Sequence, residues 1–392
     1  MDGRQPDDLA AALIGLIGTR GPLSRAEASR LLKVSPARIT QATRPLVDAG
    51  VLAESGTIPS GGGRPAILLD ITNGRRRALG GKVTPNHLAF ARVDLAGMAG
   101  EACSIDLDMR ASGAIDRIVD TLATQVRDGD EELLGIGLAL PGSPDRNGLV
   151  TSAILGWNRI PLATMIMHAT GLPVFVENDV NALAIAAQLY DDGPAADDRL
   201  LVTIGYGIGC ALTLDGHVYR GAHGSAGELG HIVVQPNGEP CDCGLTGCLE
   251  TLIGDNALAR RAAILGVVPE DGTKDDLNAV ARAGHAGAAD LFDWAGQQLG
   301  DTLASLVHVF DPEDVVISGE GVDVWEFWEP GFTRSLRAHL PSHRRDLRVT
   351  VRNWGEDTWA RGAASLVFAS PFDRVGVSSS GRRVRQMLRE GL

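Results

Sequence analysis

The chain has 392 residues, more than one compact core usually contains, so a small domain beside a two-lobed body is expected. Its formal net charge of −13 excludes a polycationic protein, and any contact with nucleic acid must come from a local basic patch. The sequence has no recognisable signal peptide and no apolar run of membrane-spanning length, which predicts a cytoplasmic protein without a membrane partner.

Residues 1–72 have the pattern of a winged helix-turn-helix domain. An apolar helical pattern comes first, and Ser24 then opens a capping-box pattern for a second helix. A third helix begins at Pro36, where a first helical position tolerates proline, and ends at Gly50. Two short strands around the glycine-rich stretch SGGGRP then predict a wing.

The charge of this N-terminal segment predicts a surface for DNA. Between residues 20 and 64, seven basic residues stand against three acidic ones, in a chain that is acidic as a whole. The second helix of the motif should enter the major groove, although Pro45 should kink or shorten that helix. The predicted DNA contacts are Arg38, Thr40, Gln41 and Arg44, with Arg64 at the wing tip. The alternative is a winged helix that serves only protein contacts or dimerisation.

The rest of the chain alternates strands with helices, which predicts an α/β body. We expect a first lobe over residues 73–185, to which a helix at 355–370 returns. A second lobe over 186–354 would contain the cysteine cluster and a dimerisation surface. The Ser-, Gly- and Arg-rich tail at 371–392 is predicted to be disordered.

The cysteine cluster HIVVQPNGEPCDCGLTGCLE is the strongest local signal. Three of the five cysteines fall within eight residues, which in a cytosolic protein indicates metal before disulfide. One imidazole and three thiolates suit tetrahedral, structural zinc with no open coordination position. The predicted ligands are His231, Cys241, Cys243 and Cys248; the alternative is free thiols beside a chance histidine. Cys103 and Cys210 lie in apolar strand patterns and are predicted to be core residues.

Several polar side chains are expected to converge on a small neutral polyol. Glu228 and Glu250 flank the cluster, while Asn178 and Asp179 end a strand, at the usual ligand edge of an α/β sheet. Hydroxyl groups both donate and accept hydrogen bonds, and carboxylates are strong acceptors. The predicted set is Asn178, Asp179, Glu228, His231 and Glu250. The alternatives are a surface charge at Glu228 and a helix cap at Asn178 and Asp179.

Two glycine-rich turns, IGYGIG and VISGEG, lie in the body. Such turns let backbone N–H groups approach phosphate. A tight strand connection alone explains them equally well, so the turns by themselves leave both interpretations open.

Together these motifs resemble the ROK family of repressors, open reading frames and sugar kinases. GELGH, CDCG, GCLE and VENDVNALA carry the resemblance, which covers nearly the whole chain. It implies an actin-like (ribonuclease H-like) two-lobed sugar-kinase fold, with a sugar between the lobes contacted by the five polar residues. One ring nitrogen of His231 would bind zinc and its other edge would face the sugar. The winged helix resembles that of the family's repressors, and a homodimer or dimer of dimers on operator DNA is implied.

One departure separates the two branches of the family. Its kinases carry an Asp-x-Gly-x-Thr type turn for ATP phosphate and magnesium in the first hairpin, where this chain has GGKVTPNHLAF. Lys82 stands where Asp is expected, and Pro85 and Asn86 stand where Gly and Thr would follow. Lysine cannot bind magnesium, and proline removes a backbone donor. Tyr206 stands in the second turn where the kinases usually have Thr, so use of ATP and Mg²⁺ is not expected.

The sequence therefore predicts a sugar-responsive transcriptional regulator, a repressor of carbohydrate metabolism genes, that binds DNA without catalysis. The first alternative is an ATP-dependent, glucokinase-like sugar kinase with Asp179, the position of the family's catalytic aspartate, as general base. The second is a zinc-stabilised interaction scaffold with a vestigial pocket, against which the retention of all five polar residues argues.

Overall fold

The structure is a computed structural model in which the chain forms two compact units. It describes residues 9, 13–14, 16–18, 20–32, 34–48, 50–58, 65–72, 76–127, 132–190, 196–353, 355, 358–370 and 379–390. The first unit is Met1–Ala195 with Glu356–Leu392, and the second is Ala196–Gly355. Among the helices of these described residues, none has the length and apolar character that crossing a bilayer requires.

In the described part of the N-terminal segment, residues 9, 13–14, 16–18 and 20 are helical, and two further helices and a three-stranded sheet follow. Its elements are β1 (Leu23–Ser24), α1 (Arg25–Leu31), α2 (Pro36–Asp48), β2 (Leu52–Ile58) and β3 (Ala66–Ile71). The sheet has the order β1-β3-β2, and both pairings are antiparallel. Helix, turn, helix and hairpin thus follow one another as the sequence predicted. The wing tip at 59–64 lies outside the described residues.

The ends of these helices follow from local chemistry. The Oγ of Ser24 accepts the amide N–H of Glu27 at 3.2 Å, which confirms the predicted N-cap of α1. Gly50 follows α2 with φ 66°, a left-handed conformation that glycine adopts without strain. The prediction that Pro45 shortens α2 is wrong, because the helix continues through Pro45 to Asp48.

A five-stranded sheet forms the centre of the first unit. The elements that follow β3 are β4 (Arg76–Val83), β5 (His87–Asp94), β6 (Cys103–Asp106), α3 (Ala114–Arg127), β7 (Glu132–Leu140), β8 (Ser143–Pro144), β9 (Val150–Ser152), β10 (Trp157–Ile160), α4 (Leu162–Thr170), β11 (Val174–Asn178) and α5 (Asp179–Tyr190). The sheet order is β11-β7-β4-β5-β6, with β4, β5 and β6 antiparallel and β4, β7 and β11 parallel.

The second unit repeats this arrangement. Its elements are β12 (Arg199–Ile204), β13 (Ile208–Leu214), β14 (His217–Val218), α6 (Leu249–Ile253), α7 (Asp255–Ile264), α8 (Lys274–Arg282), α9 (Ala286–Phe310), β15 (Asp314–Ser318), α10 (Trp325–His339) and β16 (Arg348–Val351). The order β14-β13-β12-β15-β16 again joins three antiparallel strands to two parallel ones. Two copies of one sheet topology, each with helices, form the predicted actin-like body.

A buried ion pair fixes the register at the centre of the second sheet. The guanidinium of Arg199 donates to the carboxylate of Asp314 at 2.8 and 3.0 Å, and Arg348 donates to the same carboxylate at 2.9 Å. The three residues are direct neighbours across β12, β15 and β16. Since a buried charge without a partner is strongly unfavourable, a shifted strand pairing is disfavoured.

The chain then returns to the first unit as α11 (Thr358–Ala369) and α12 (Ser379–Glu390). Helix α11 lies so close to β4 and β7 that a Cβ atom at Gly80 or Gly137 would collide with its backbone. The prediction of a disordered tail is wrong for α12, because Val384 is fully buried in the core. Ser, Gly and Arg dominate the composition of this tail, which concealed the apolar side of the helix.

One continuous core joins the N-terminal segment to the first sheet. Leu46 of α2 and Leu52 of β2 pack in the same buried cluster as Ala91 of β5 and Leu134 of β7. The prediction that Cys103 is a core residue is wrong, because it is exposed on the edge strand β6. An edge strand has a neighbour on one side only, so its apolar pattern does not guarantee burial.

Candidate metal centre and ligand sites

The cysteine cluster forms a knuckle between β14 and α6. His231 ends the short 3-10 helix Leu229–His231, and its Nδ1 lies 3.4 Å from the Sγ of Cys241. The Sγ atoms of Cys243 and Cys248 are 3.6 Å apart, and all four ligand atoms lie within 4.8 Å of one another. Tetrahedral zinc with Zn–S bonds of about 2.3 Å separates sulfurs by roughly 3.8 Å. The donor set and its spacing therefore fit a four-coordinate zinc ion.

A disulfide explanation of the knuckle does not fit its geometry. The 3.6 Å between Cys243 and Cys248 is far above a disulfide bond length of about 2.05 Å. Gly244 and Gly247 have φ values of 91° and 75°, and a Cβ atom at Gly247 would collide with the carbonyl of Gln235. These glycines allow the chain to turn tightly enough to bring the sulfurs together.

Burial affects the protonation of these thiols. It raises the pKa of Cys248 to about 12 and also raises the pKa of Cys241. Zinc binds the thiolate, so metal binding must release these protons. The cation would supply the charge that stabilises thiolates in a buried position.

Three of the predicted polyol residues lie on or beside the knuckle. The Nδ1 of His231 faces Cys241, and its Nε2 lies 3.8 Å from the Oε2 of Glu228. Glu250, two residues after Cys248, lies in the first turn of α6, and its Oε2 accepts the amide N–H of Ile208 at 3.1 Å. One edge of the His231 ring is therefore directed at the sulfur cluster and the other at a carboxylate.

The other two predicted polyol residues lie in the first unit, at the carboxyl end of β11. The Oδ1 of Asn178 accepts the amide N–H groups of Val180 and Asn181 at 2.9 and 3.2 Å. Asn178 is therefore a cap of α5, as the alternative interpretation held, and its side-chain N–H₂ group is the part suited to a ligand. Asp179 begins α5 and is partly exposed.

In the hairpin turn between β4 and β5, the polar side chains hydrogen-bond one another. The Oγ1 of Thr84 lies 2.7 Å from Nδ1 of His87 and 3.0 Å from Oδ1 of Asn86. The amide N–H of Thr84 donates to the carbonyl of His87 at 3.0 Å, and Pro85 has no N–H to offer. Burial, and then the nearby charge of Lys82, lower the pKa of His87. The groups of this turn therefore satisfy one another, which makes it a poor cradle for phosphate.

The second turn, Gly205–Gly207, lies against carboxylates. A Cβ atom at Gly205 would collide with Oε2 of Glu320, and one at Gly207 with Oε2 of Glu250. The side chain of Tyr206 is 58% exposed between them. Because like charges repel at such short range, this turn disfavours phosphate.

A further carboxylate, paired with a lysine, lies beside this turn. Asp255 donates its backbone amide to the carbonyl of Gly205 at 3.1 Å, and burial raises the pKa of its side chain. Lys274, 3.3 Å from the carboxylate, acts in the opposite direction, while Glu320 raises the pKa further. Sequence reasoning missed Glu320 and Asp255; the glutamate inside VISGEG was the available signal.

Helix α2 presents a polar face to solvent. Ile39, Ala42 and Leu46 are buried on one side of the helix. Thr40, Gln41 and Arg44 are exposed, Arg38 is half-buried, and Arg64 lies outside the described residues. Arg44 is 3.9 Å from Asp48, and both side chains are largely exposed. Exposed residues at this spacing share one helix face, as groove-reading residues must.

Comparison with known proteins agrees with these features. The ROK family profile matches residues 109–370. The chain is 28% identical over 376 residues to the DNA-binding transcriptional dual regulator NagC of Escherichia coli K12, covering 91% of each chain. A ROK family transcriptional regulator homologous to E. coli Mlc superposes with a TM-score of 0.78 at 27% identity, over 98% of each chain.

A kinase of known structure matches a smaller part of the chain. The ROK family glucokinase of Streptomyces griseus, in complex with glucose and AMPPNP, has a TM-score of 0.64 and 29% identity. The match covers 74% of this chain and 98% of the glucokinase. The family profile spans well over half of this chain. The two regulators match almost the full length of this chain. This chain therefore belongs to the ROK family.

Proposed function

We propose that the protein is a sugar-responsive, DNA-binding transcriptional regulator, acting as a repressor of carbohydrate metabolism genes. The observation that carries this proposal is helix α2, whose apolar side is buried and whose opposite side exposes Thr40, Gln41 and Arg44. Amide, hydroxyl and guanidinium groups on one exposed helix face suit base edges and phosphates of the major groove. The full-length match to regulators supports the same function.

A sugar is the effector that the polar residues suit best. We propose contacts from Asn178, Asp179, Glu228, His231 and Glu250, which offer donors and acceptors for neighbouring hydroxyl groups. Glucose in the related glucokinase supports a hexose-like ligand. Zn²⁺ on the knuckle would hold Glu228 and the start of α6 in place, a structural role.

A homodimer, or a dimer of dimers, is the proposed DNA-binding form. Recognition helices related by two-fold symmetry read half-sites about one helical turn apart. Two copies of the polar face of α2 double the number of contacts, which is how a modest surface reaches operator affinity.

The test of DNA binding uses the intact chain and a pool of random-sequence duplexes. Repeated rounds of binding and amplification are expected to enrich a two-fold symmetric sequence, since a symmetric protein selects symmetric half-sites. Binding of the enriched duplex should weaken steeply as salt rises, because phosphate contacts release counterions. A pool that stays random after several rounds would contradict the proposed function.

The second candidate function is an ATP-dependent sugar kinase with Asp179 as general base, favoured by the match to the glucokinase. Two features argue against a kinase. The polar groups of the first hairpin turn hydrogen-bond one another, and carboxylates lie against Gly205 and Gly207 in the second turn. We expect no ADP release above background in a coupled assay with ATP, Mg²⁺ and common hexoses, pentoses and amino sugars. Turnover that disappears in Asp179→Asn would establish the kinase and overturn this expectation.

A further inference from the structure

The C-terminal helix α12 packs beside the helix proposed to read DNA. It contacts both α2 and β7. Val384 of α12 is fully buried in the cluster that contains Leu46 of α2 and Leu134 of β7, and Met387 packs against that cluster. The apolar side of α12 therefore holds it against the N-terminal segment.

The same helix is strongly basic in an acidic protein. Between residues 379 and 390 the sequence has four arginines and one glutamate, whereas the whole chain has a net charge of −13. Arg382 and Arg383, directly before the buried Val384, are exposed. The helix thus combines an apolar side toward the core with positive charge toward solvent.

We propose that α12 is a second DNA-contacting element, whose exposed Arg382 and Arg383 bind the phosphates beside the groove that α2 enters. This inference rests on the proposed DNA-binding function. Packed helices lie about 8–10 Å apart. The major groove is about 12 Å wide, so its bordering phosphates lie within reach of arginines on a helix next to α2. Phosphate contacts of this kind raise affinity for every duplex and fix orientation, without reading sequence.

The experiment compares two double variants that remove the same charge. Arg382→Gln/Arg383→Gln alters α12, and the control Arg117→Gln/Arg260→Gln alters exposed arginines on α3 and α7. The probe is a random-sequence duplex of about three helical turns, titrated by fluorescence anisotropy at several salt concentrations. For the α12 variant, the slope of log K against log salt should become shallower by about one for each arginine that no longer binds a phosphate. The control should keep the wild-type slope.

Each other outcome overturns the proposal in a distinct way. An α12 variant with wild-type affinity and slope shows that the helix makes no phosphate contact. Lower affinity with an unchanged slope shows that α12 stabilises the position of α2 but binds no phosphate. Equal changes in both double variants show a general effect of net charge. If the wild type itself binds neither random nor selected duplexes, the proposed function fails first, and this inference fails with it. Unchanged thermal unfolding midpoints verify that all variants are folded.

Discussion

Replacing Cys243 by serine is expected to remove most of the zinc from the purified protein. Wild-type protein should contain about one zinc ion per chain, because one imidazole and three thiolates close a tetrahedral site. Mutation of a residue that only hydrogen-bonds a metal ligand lowers metal affinity about 10–100-fold. Removal of a ligand itself should therefore lower zinc affinity by more than this. Elemental analysis after dialysis measures the zinc content. Cys103→Ser is the matched control, since Cys103 is also exposed but lies on β6, outside the cluster.

The loss of zinc should also weaken sugar binding. His231 ends the 3-10 helix that begins after Glu228, and Cys248 directly precedes α6 with Glu250 in its first turn. Without metal the knuckle would no longer fix either carboxylate. Thermal-shift titration should therefore show a weaker ligand response in Cys243→Ser than in Cys103→Ser. Zinc-free wild-type protein with normal stability and normal ligand response would refute the metal site.

Two kinds of substitution should separate DNA binding from sugar response. Arg44→Ala is expected to weaken operator binding about five- to 150-fold, since a side chain that reads a base contributes about 1–3 kcal/mol. Arg38→Ala should act in the same direction, and the sugar affinity of the free protein should stay at the wild-type value for both. Anisotropy with the selected operator and calorimetry with sugar measure the two affinities.

The complementary variants concern Glu250. Glu250→Ala should bind operator as the wild type does, but its binding should no longer respond to sugar. Because Glu250 also accepts the amide N–H of Ile208, Glu250→Gln is the better variant: it retains an oxygen acceptor and loses only the charge. If Arg44→Ala and Glu250→Gln both impaired both activities, separate DNA and sugar sites would be contradicted.

The fold and the metal cluster were predictable because their signals are local. Alternation of strands and helices indicated the α/β body, and ligand spacing around Cys241 indicated the cluster. Contacts between distant segments were not predictable in this way. Burial of Val384 depends on α2 and β7, which lie far away in sequence. The exposure of Cys103 depends on β6 being the last strand of its sheet.

The two glycine- and proline-containing turns are a second case in which contacts between side chains could not be predicted from the sequence. Lys82 and Pro85 indicated from sequence that the first turn is unsuited to ATP. Only the structure shows that the Oγ1 of Thr84 lies within hydrogen-bond distance of Nδ1 of His87. The carboxylate of Glu320 meets Gly205 because β12 and β15 are neighbours, a pairing that the sequence does not reveal.

Operator affinity of the wild-type protein with and without sugar tests the central claim most directly. A thermal-shift screen of hexoses, pentoses and amino sugars first identifies a ligand, and the selected operator is then titrated at fixed salt. Sugar is expected to change operator affinity about five- to 150-fold, a coupling of about 1–3 kcal/mol, by altering how the recognition helices of a dimer are spaced. By reciprocity, operator DNA must change sugar affinity by the same factor. Identical operator affinity in the presence and absence of every sugar that binds would contradict a sugar-responsive regulator.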